Sequence, residues 1–266
     1  MRRHFHKMHG LGNDFVIVDA RETPFDVTPS LAKAIADRRT GVGCDQLIVL
    51  EPSDSADLRM RIWNQDGGEV ESCGNATRCV VLLTGATSIE TDGGLLSGAA
   101  LDGEVEVTLP EPSFAWTDIP IAYATDTNPL PMAWDELENP VAVNVGNPHV
   151  VFFVPDARAV PLAELGPRIE TDPAFPDRIN VNAATLVDGR LKLRTFERGV
   201  GETLACGTGA CASAVAAILT KRVQSPVTVD MTGGSLTIAW APGEPIRMRG
   251  SATHVFEGDL DLEALS

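Results

Sequence analysis

RIWNQDGGEVESCGNATR (residues 61–78) and RTFERGVGETLACGTGAC (residues 194–211) are two versions of one pattern, and comparing them decides the fold. Setting Cys73 on Cys206, an offset of 133 residues, puts Arg61 on Arg194, Gly68 on Gly201, Glu69 on Glu202 and Gly74 on Gly207. Trp63 lands on Phe196 and Met60 on Leu193. Further upstream, Gly12-Asn13-Asp14-Phe15 matches Gly146-Asn147-Pro148-His149 at an offset of 134, so each half carries an Asn about 60 residues before its cysteine. Self-similarity at a fixed offset marks a duplicated structural unit.

Local patterns give both halves the same parts. Residues 58–62 and 191–195 alternate apolar with basic side chains, as a half-buried strand does. A glycine-bearing loop, the cysteine and a small-residue helical segment follow in each case, predicted over 76–83 and 210–219. Further strands are expected at 15–18, 46–50, 105–109, 141–145, 150–154, 227–230 and 236–240. An early helix is expected over 29–38, capped by Thr28 or Ser30. Asp102-Gly103 and Asp188-Gly189 are hairpin turns. The fold class is therefore α+β, with two similar domains related by a pseudo-twofold duplication. Residues 1–112 form the half with Cys73, and 113–253 the half with Cys206. The chain end, from about 254 to 266, is expected to return to the first half. Six of the 18 prolines lie between about 110 and 140, where periodicity is weak, and that stretch reads as the crossover.

Composition excludes several classes of function. A formal net charge of −16 leaves no basic face to neutralise phosphates, so nucleic acid is not an expected partner, nor is an anionic membrane. No run of about 18 apolar residues exists to span a bilayer. The basic start, Met1 to Lys7, is followed by no apolar signal core, and the expected location is the cytoplasm. Five cysteines without a CxxC pair do not resemble a secreted disulfide framework, and the histidines do not cluster with them in sequence, so no metal is expected. Gly207-Thr208-Gly209-Ala210-Cys211-Ala212 fits a dinucleotide-binding pattern with Asp230 about 20 residues on, but no run of βα units surrounds it. There is no phosphate-binding loop and no lysine in a pyridoxal-phosphate context, so no cofactor is expected.

Cys73-Gly74-Asn75 and Cys206-Gly207-Thr208 each stand just before a helix. A helix start offers unpaired N–H groups and partial positive charge, which favours a thiolate and can hold a carboxylate. Glycine there lets a ligand approach the backbone closely. Two such thiols on opposite faces of one α-carbon would invert it, one removing the proton and the other returning it, so they must start in opposite protonation states. Backbone N–H groups on the carboxylate would stabilise the growing carbanion. Cys79 and Cys211, inside the helices, and Cys44 read as structural. A hydrolase using one cysteine with His149 as base, and a ligand-binding or redox-sensing protein using both thiols, are the readings from other classes.

KMHGLGNDF (7–15), GVGCDQL (41–47), RIWNQDGGEVESCGNATRC (61–79), VGNPH (145–149), FPDRINVN (175–182) and ERGVGETLACGTGACA (197–212) together resemble the diaminopimelate epimerase family. The resemblance implies two like-folded domains, each an antiparallel β-barrel around a central helix, with the active site in the cleft between them. It implies interconversion of LL- and meso-diaminopimelate in lysine biosynthesis, without cofactor or metal. Cys73 and Cys206 match the acid/base pair, and His149 and Glu197 the residues that adjust the thiols. Gly74, Asn75, Gly207 and Thr208 match the carboxylate cradle. Asn13, Gln46, Asn64, Asn147, Asn180, Glu197 and Arg198 match the other substrate contacts. A racemase acting on proline or hydroxyproline is the nearest alternative. A homodimer is implied, although Phe256 stands where some relatives carry an interfacial tyrosine.

Overall fold

The computed structural model describes residues 2–71 and 73–265. The chain divides into two compact units, Met1–Val107 with Gly250–Ser266, and Thr108–Arg249. The first unit runs β1 (Arg2–Gly10), β2 (Asn13–Asp19), α1 (Pro29–Ala36), β3 (Gln46–Glu51), β4 (Leu58–Asn64), β5 (Glu69–Val70), α2 (Gly74–Thr84), β6 (Ser88–Thr91), β7 (Gly94–Leu101) and β8 (Glu104–Leu109). The second contains β9 (Ala133–Trp134), β10 (Leu137–Glu138), β11 (Val141–Asn144), β12 (Pro148–Phe153), α3 (Leu162–Glu170) and β13 (Asn180–Val187). It continues through β14 (Arg190–Glu197), β15 (Gly201–Thr203), α4 (Gly207–Leu219), β16 (Val227–Met231), β17 (Gly234–Ala239) and β18 (Ile246–Gly250). The last strand, β19 (Thr253–Asp261), belongs to the first unit and pairs antiparallel with β1.

The duplication extends to strand register. In the first unit β2 runs parallel to β3 with Phe15 opposite Gln46, β3 antiparallel to β4, and β4 parallel to β6 with Leu58 opposite Ile89. In the second, β12 runs parallel to β13 with His149 opposite Asn180, β13 antiparallel to β14, and β14 parallel to β16 with Leu191 opposite Val229. Other ladders, such as β1 with β2 and β16 with β17, are antiparallel, so each unit has two parallel pairs within a mainly antiparallel sheet. One ion pair is duplicated as well. Arg61 grips Glu69 through Nε and Nη2 at 2.7 and 3.0 Å, and Arg194 grips Glu202 at 2.7 and 2.9 Å. Both pairs tie the strand before the cysteine to the short strand leading into it, in a fork geometry that fixes direction.

Each barrel holds one helix. Helix α4 packs against β11, β12, β13, β14, β16 and β17, and its residues from Gly209 to Ala217 are all buried. A helix apolar on every side belongs in a core. Its run of alanines and glycines, with Cys211 and Ser213, keeps it thin enough to be enclosed. Helix α2 packs against β1, β7 and β19 and buries Ala76 through Val81, including the guanidinium of Arg78. That cation is held by Asn75 Oδ1 at 2.8 Å and by the Ser251 carbonyl at 3.3 Å. The proline-rich crossover differs from a loose linker. It places Ile119, Ile121, Leu130, Trp134 and Leu137 in the second unit's core beside Phe152 and Phe175.

Candidate active site

Cys73 is the N-cap of α2, with extended backbone at φ −150° and ψ 110°, and its carbonyl accepts from Thr77 N at 2.9 Å to close the first turn. Gly74 and Asn75 form that turn, whose leading N–H groups have no partner within the helix. The Cys73 thiol donates to Asn13 Oδ1 at 3.8 Å, and Asn75 Nδ2 donates to the same oxygen at 3.1 Å. Asn13 is held from the other side, because its Nδ2 donates to Asp45 Oδ2 at 3.0 Å. A carboxylate only accepts, so Asp45 fixes the amide with its carbonyl toward the thiol. Asp45 is itself braced by Arg38 at 2.8 Å. Gln46 and Asn64, opposite each other across β3 and β4, join through Gln46 Nε2 to Asn64 Oδ1 at 2.9 Å. Gln46 Oε1 is buried without a hydrogen-bond donor.

Cys206 is the N-cap of α4 in the same extended conformation, φ −118° and ψ 111°. Its sulfur accepts from Gly209 N at 3.3 Å and lies 3.5 Å from Thr208 Oγ1. The expectation that a helix start would favour the thiolate fails here. Burial pushes the Cys206 thiol well above its ordinary range, and the Glu197 carboxylate adds to that, both by its charge and by a hydrogen bond to the thiol; Thr208 and the Gly209 N–H pull the other way and lose. Removing water from a thiolate costs more than one helix end returns. Glu197 is placed by Thr203, whose hydroxyl donates to its Oε1.

His149 is fully buried, and burial, helped by the Arg198 charge, lowers its pKa to about 3, so the ring is neutral. Its tautomer follows from its neighbours. Asn182 Nδ2 donates to the Val150 carbonyl at 3.1 Å, and Thr195 Oγ1 donates to Asn182 Oδ1 at 2.9 Å, which fixes the Asn182 amide. The same Nδ2 lies 3.0 Å from His149 Nδ1, which must accept. The proton therefore sits on Nε2 and is donated to Asn147 Oδ1 at 2.8 Å. Both ring nitrogens are thus engaged by asparagines rather than by a thiol. The equivalent asparagines are held in opposite senses: Asn13 turns its carbonyl to Cys73, while Asn147 keeps its NH₂ for another acceptor.

The remaining expected site residues are arranged less simply. Asn180 is buried, with Nδ2 donating to the Pro148 carbonyl at 2.8 Å and Oδ1 accepting from Arg198 N at 2.9 Å, so its side chain braces the turn. Arg198 is exposed, and its Nη1 donates to the Asp177 carbonyl at 3.1 Å. Cys44 and Cys79 are buried, and burial pushes their thiols up to about 11 and about 12, consistent with structural roles. Asp45, Asn182, Thr195 and Thr203 were not singled out by motif, although all four lie inside the strings quoted above. The available signal was strand alternation: Asn182 lies two residues from Asn180 and shares its face.

Solved structures with this fold carry a wide range of sequences. A phenazine biosynthesis protein of the PhzF family from Enterococcus faecalis superposes with a TM-score of 0.73 at 13% identity, covering 98% of this chain and 100% of that one. A hydroxyproline epimerase from Agrobacterium vitis superposes at 0.67 with 16% identity, covering 97% and 91%. At such identities the likeness establishes the class of fold alone: a duplicated α+β architecture, here with a cysteine at the N-cap of one helix in each half. Sequence then narrows the class. Residues 5–112 and 141–255 match the diaminopimelate epimerase family. A diaminopimelate epimerase from Rhizorhabdus wittichii is 64% identical over 267 residues, covering 99% of this chain and 97% of the relative. One from Sphingopyxis alaskensis is 64% identical over 264 residues, covering 98% of each. This chain belongs to the diaminopimelate epimerase family.

Proposed function

We propose that the chain interconverts LL- and meso-diaminopimelate, with Cys73 and Cys206 as the two proton-transfer groups. The observation that carries this is the pair of cysteines at the N-caps of the two equivalent barrel helices. Inversion of a carbon needs one group to remove a proton and a second to deliver one, and each unit supplies one thiol. Cys206, held protonated by burial and Glu197, is the resting donor, which leaves Cys73 as the base in the first half-turnover. The reverse direction exchanges the roles.

The N–H groups of Gly74, Asn75, Gly207 and Thr208 take the carboxylate of the reacting centre and stabilise charge as the α-carbon loses its proton. Asn13 and Asn147, held rigidly by Asp45 and His149, offer one acceptor and one donor to substrate. Gln46 Oε1, buried and lacking a donor, suits an ammonium group. Arg198, exposed and lightly tethered, with Asn64, suits the distal carboxylate. The cytoplasm and a homodimer belong to the same reading: among the described residues no helix is long and apolar enough to cross a membrane, and β19 leaves Val255 and Phe256 exposed for a second copy.

The test is incubation of the reduced protein with LL-diaminopimelate in D₂O. Deuterium should enter the α-carbon as the meso isomer forms, and Cys73→Ala and Cys206→Ala should each abolish epimerisation. Absence of exchange in folded wild-type protein would refute the assignment. Substantial turnover by either single variant would refute the two-thiol scheme, and a hydrolase would need only one of them.

A further inference from the structure

His4 and His6 alternate on β1 with buried neighbours, so both project from its outer face. On β19, Asp259 lies directly opposite His4 and Glu257 opposite His6. The bulge between Lys7 and Met8 brings His254 to the same spot. Three of the chain's five histidines therefore meet two carboxylates. His6 Nδ1 lies 3.2 Å from His254 Nε2 and 3.5 Å from Glu257 Oε2, and His4 Nε2 lies 3.9 Å from that same oxygen.

We propose that this face of β1 and β19 binds a late first-row divalent cation of the Zn²⁺ and Co²⁺ class, with His4, His6 and Glu257 as ligands and His254 completing the set. Donor atoms around a tetrahedral zinc with bonds near 2.1 Å lie about 3.4 Å from one another. The separations here bracket that value before any side chain moves. His4, His6 and Glu257 can place one donor atom each within 4.8 Å of all the others. Two imidazoles with a carboxylate suit zinc, cobalt or nickel better than magnesium or calcium. Exposed imidazole–carboxylate pairs by themselves contribute little. A cation here would instead clip the first strand of the unit to its last, linking residues 248 positions apart. That separation is why no ligand spacing shows in the sequence.

The test is titration of the full-length, reduced protein with Co²⁺. The expected result is saturable binding of one ion per chain at about 10 μM or tighter, visible d–d bands, and a rise in Tm with added cation. His6→Ala and Glu257→Gln should each weaken binding by about tenfold or more with unchanged far-ultraviolet circular dichroism. Glu257 is 60% exposed on its side chain, so its variant keeps the test valid should His6→Ala fold poorly. Binding that both variants leave intact would overturn the proposal. So would binding seen only with an intense near-ultraviolet thiolate-to-cobalt band, which would place the ion on cysteine, or no saturation below about 1 mM.

Discussion

Cys73 and Cys206 occupy the same local position, yet only Cys206 is sealed, at 3% exposed, while Cys73 is half-buried. Sealing decides the protonation of Cys206 against its helix end, and Glu197 reinforces it. Replacing Glu197 by Gln removes the anion and keeps an oxygen for Thr203, so the Cys206 pKa should fall. The measurement is the rate of alkylation of Cys206 by iodoacetamide against pH, followed by mass spectrometry. In the wild type the rate should still be rising above about pH 9. In Glu197→Gln the midpoint should move to lower pH, while the plateau, set by access, stays put. An unmoved midpoint would show that burial alone sets the thiol. The sequence placed both cysteines before helices, which is a local feature. It could not show which one is enclosed, because burial depends on strands far away in the chain.

At the scale of elements, α4 depends on a residue that helix propensity alone disfavours. A Cβ on Gly209 would lie 2.7 Å from Asn182 Oδ1 and 2.8 Å from Thr195 Oγ1, the pair that fixes the His149 tautomer. At an ordinary helical site, Gly→Ala stabilises by up to about 1 kcal/mol. Here Gly209→Ala should destabilise by about 1–3 kcal/mol and lower kcat by disturbing the His149–Asn147 bond. Urea denaturation and steady-state kinetics check both, and a gain in stability would refute the packing argument. Legibility follows the same division. The periodic strands at 46–50, 58–62 and 191–195 fall within β3, β4 and β14. β1, with the sequence RRHFHKMHG, offers too few apolar residues to read as a strand although its alternate side chains are mostly buried. α3 carries Gly166-Pro167, which reads as a breaker, yet Gly166 is there because a Cβ would sit 2.5 Å from Phe196 Cγ. Contacts of that kind are tertiary and leave no periodic trace.

For the molecule as a whole, the repeat at an offset of 133 made the duplicated architecture legible, but the strand that completes the first barrel comes from the other end of the chain. β19 pairs with β1 from Arg2 opposite Asp261 to His9 opposite Thr253, leaving only Gly10 beyond the ladder. Just before it, the Ser251 carbonyl accepts from Arg78, a fully buried cation one turn along from Cys73. Deleting residues 251–266 therefore strips one edge of β1 and removes an acceptor from a buried guanidinium. A hydrogen bond to a charged group is worth about 1.5–3 kcal/mol, and the lost ladder adds to that. The truncated chain should lose activity, because α2 and its N-cap rest on β1. Hydrogen exchange separates this from general collapse: amides of β1, β2 and α2 should lose protection, while those of β12, β13 and α4, which belong to the other unit, should retain theirs. Retained protection in β1 and α2 would mean that the first unit does not need its last strand, and loss throughout would mean that the two units unfold as one.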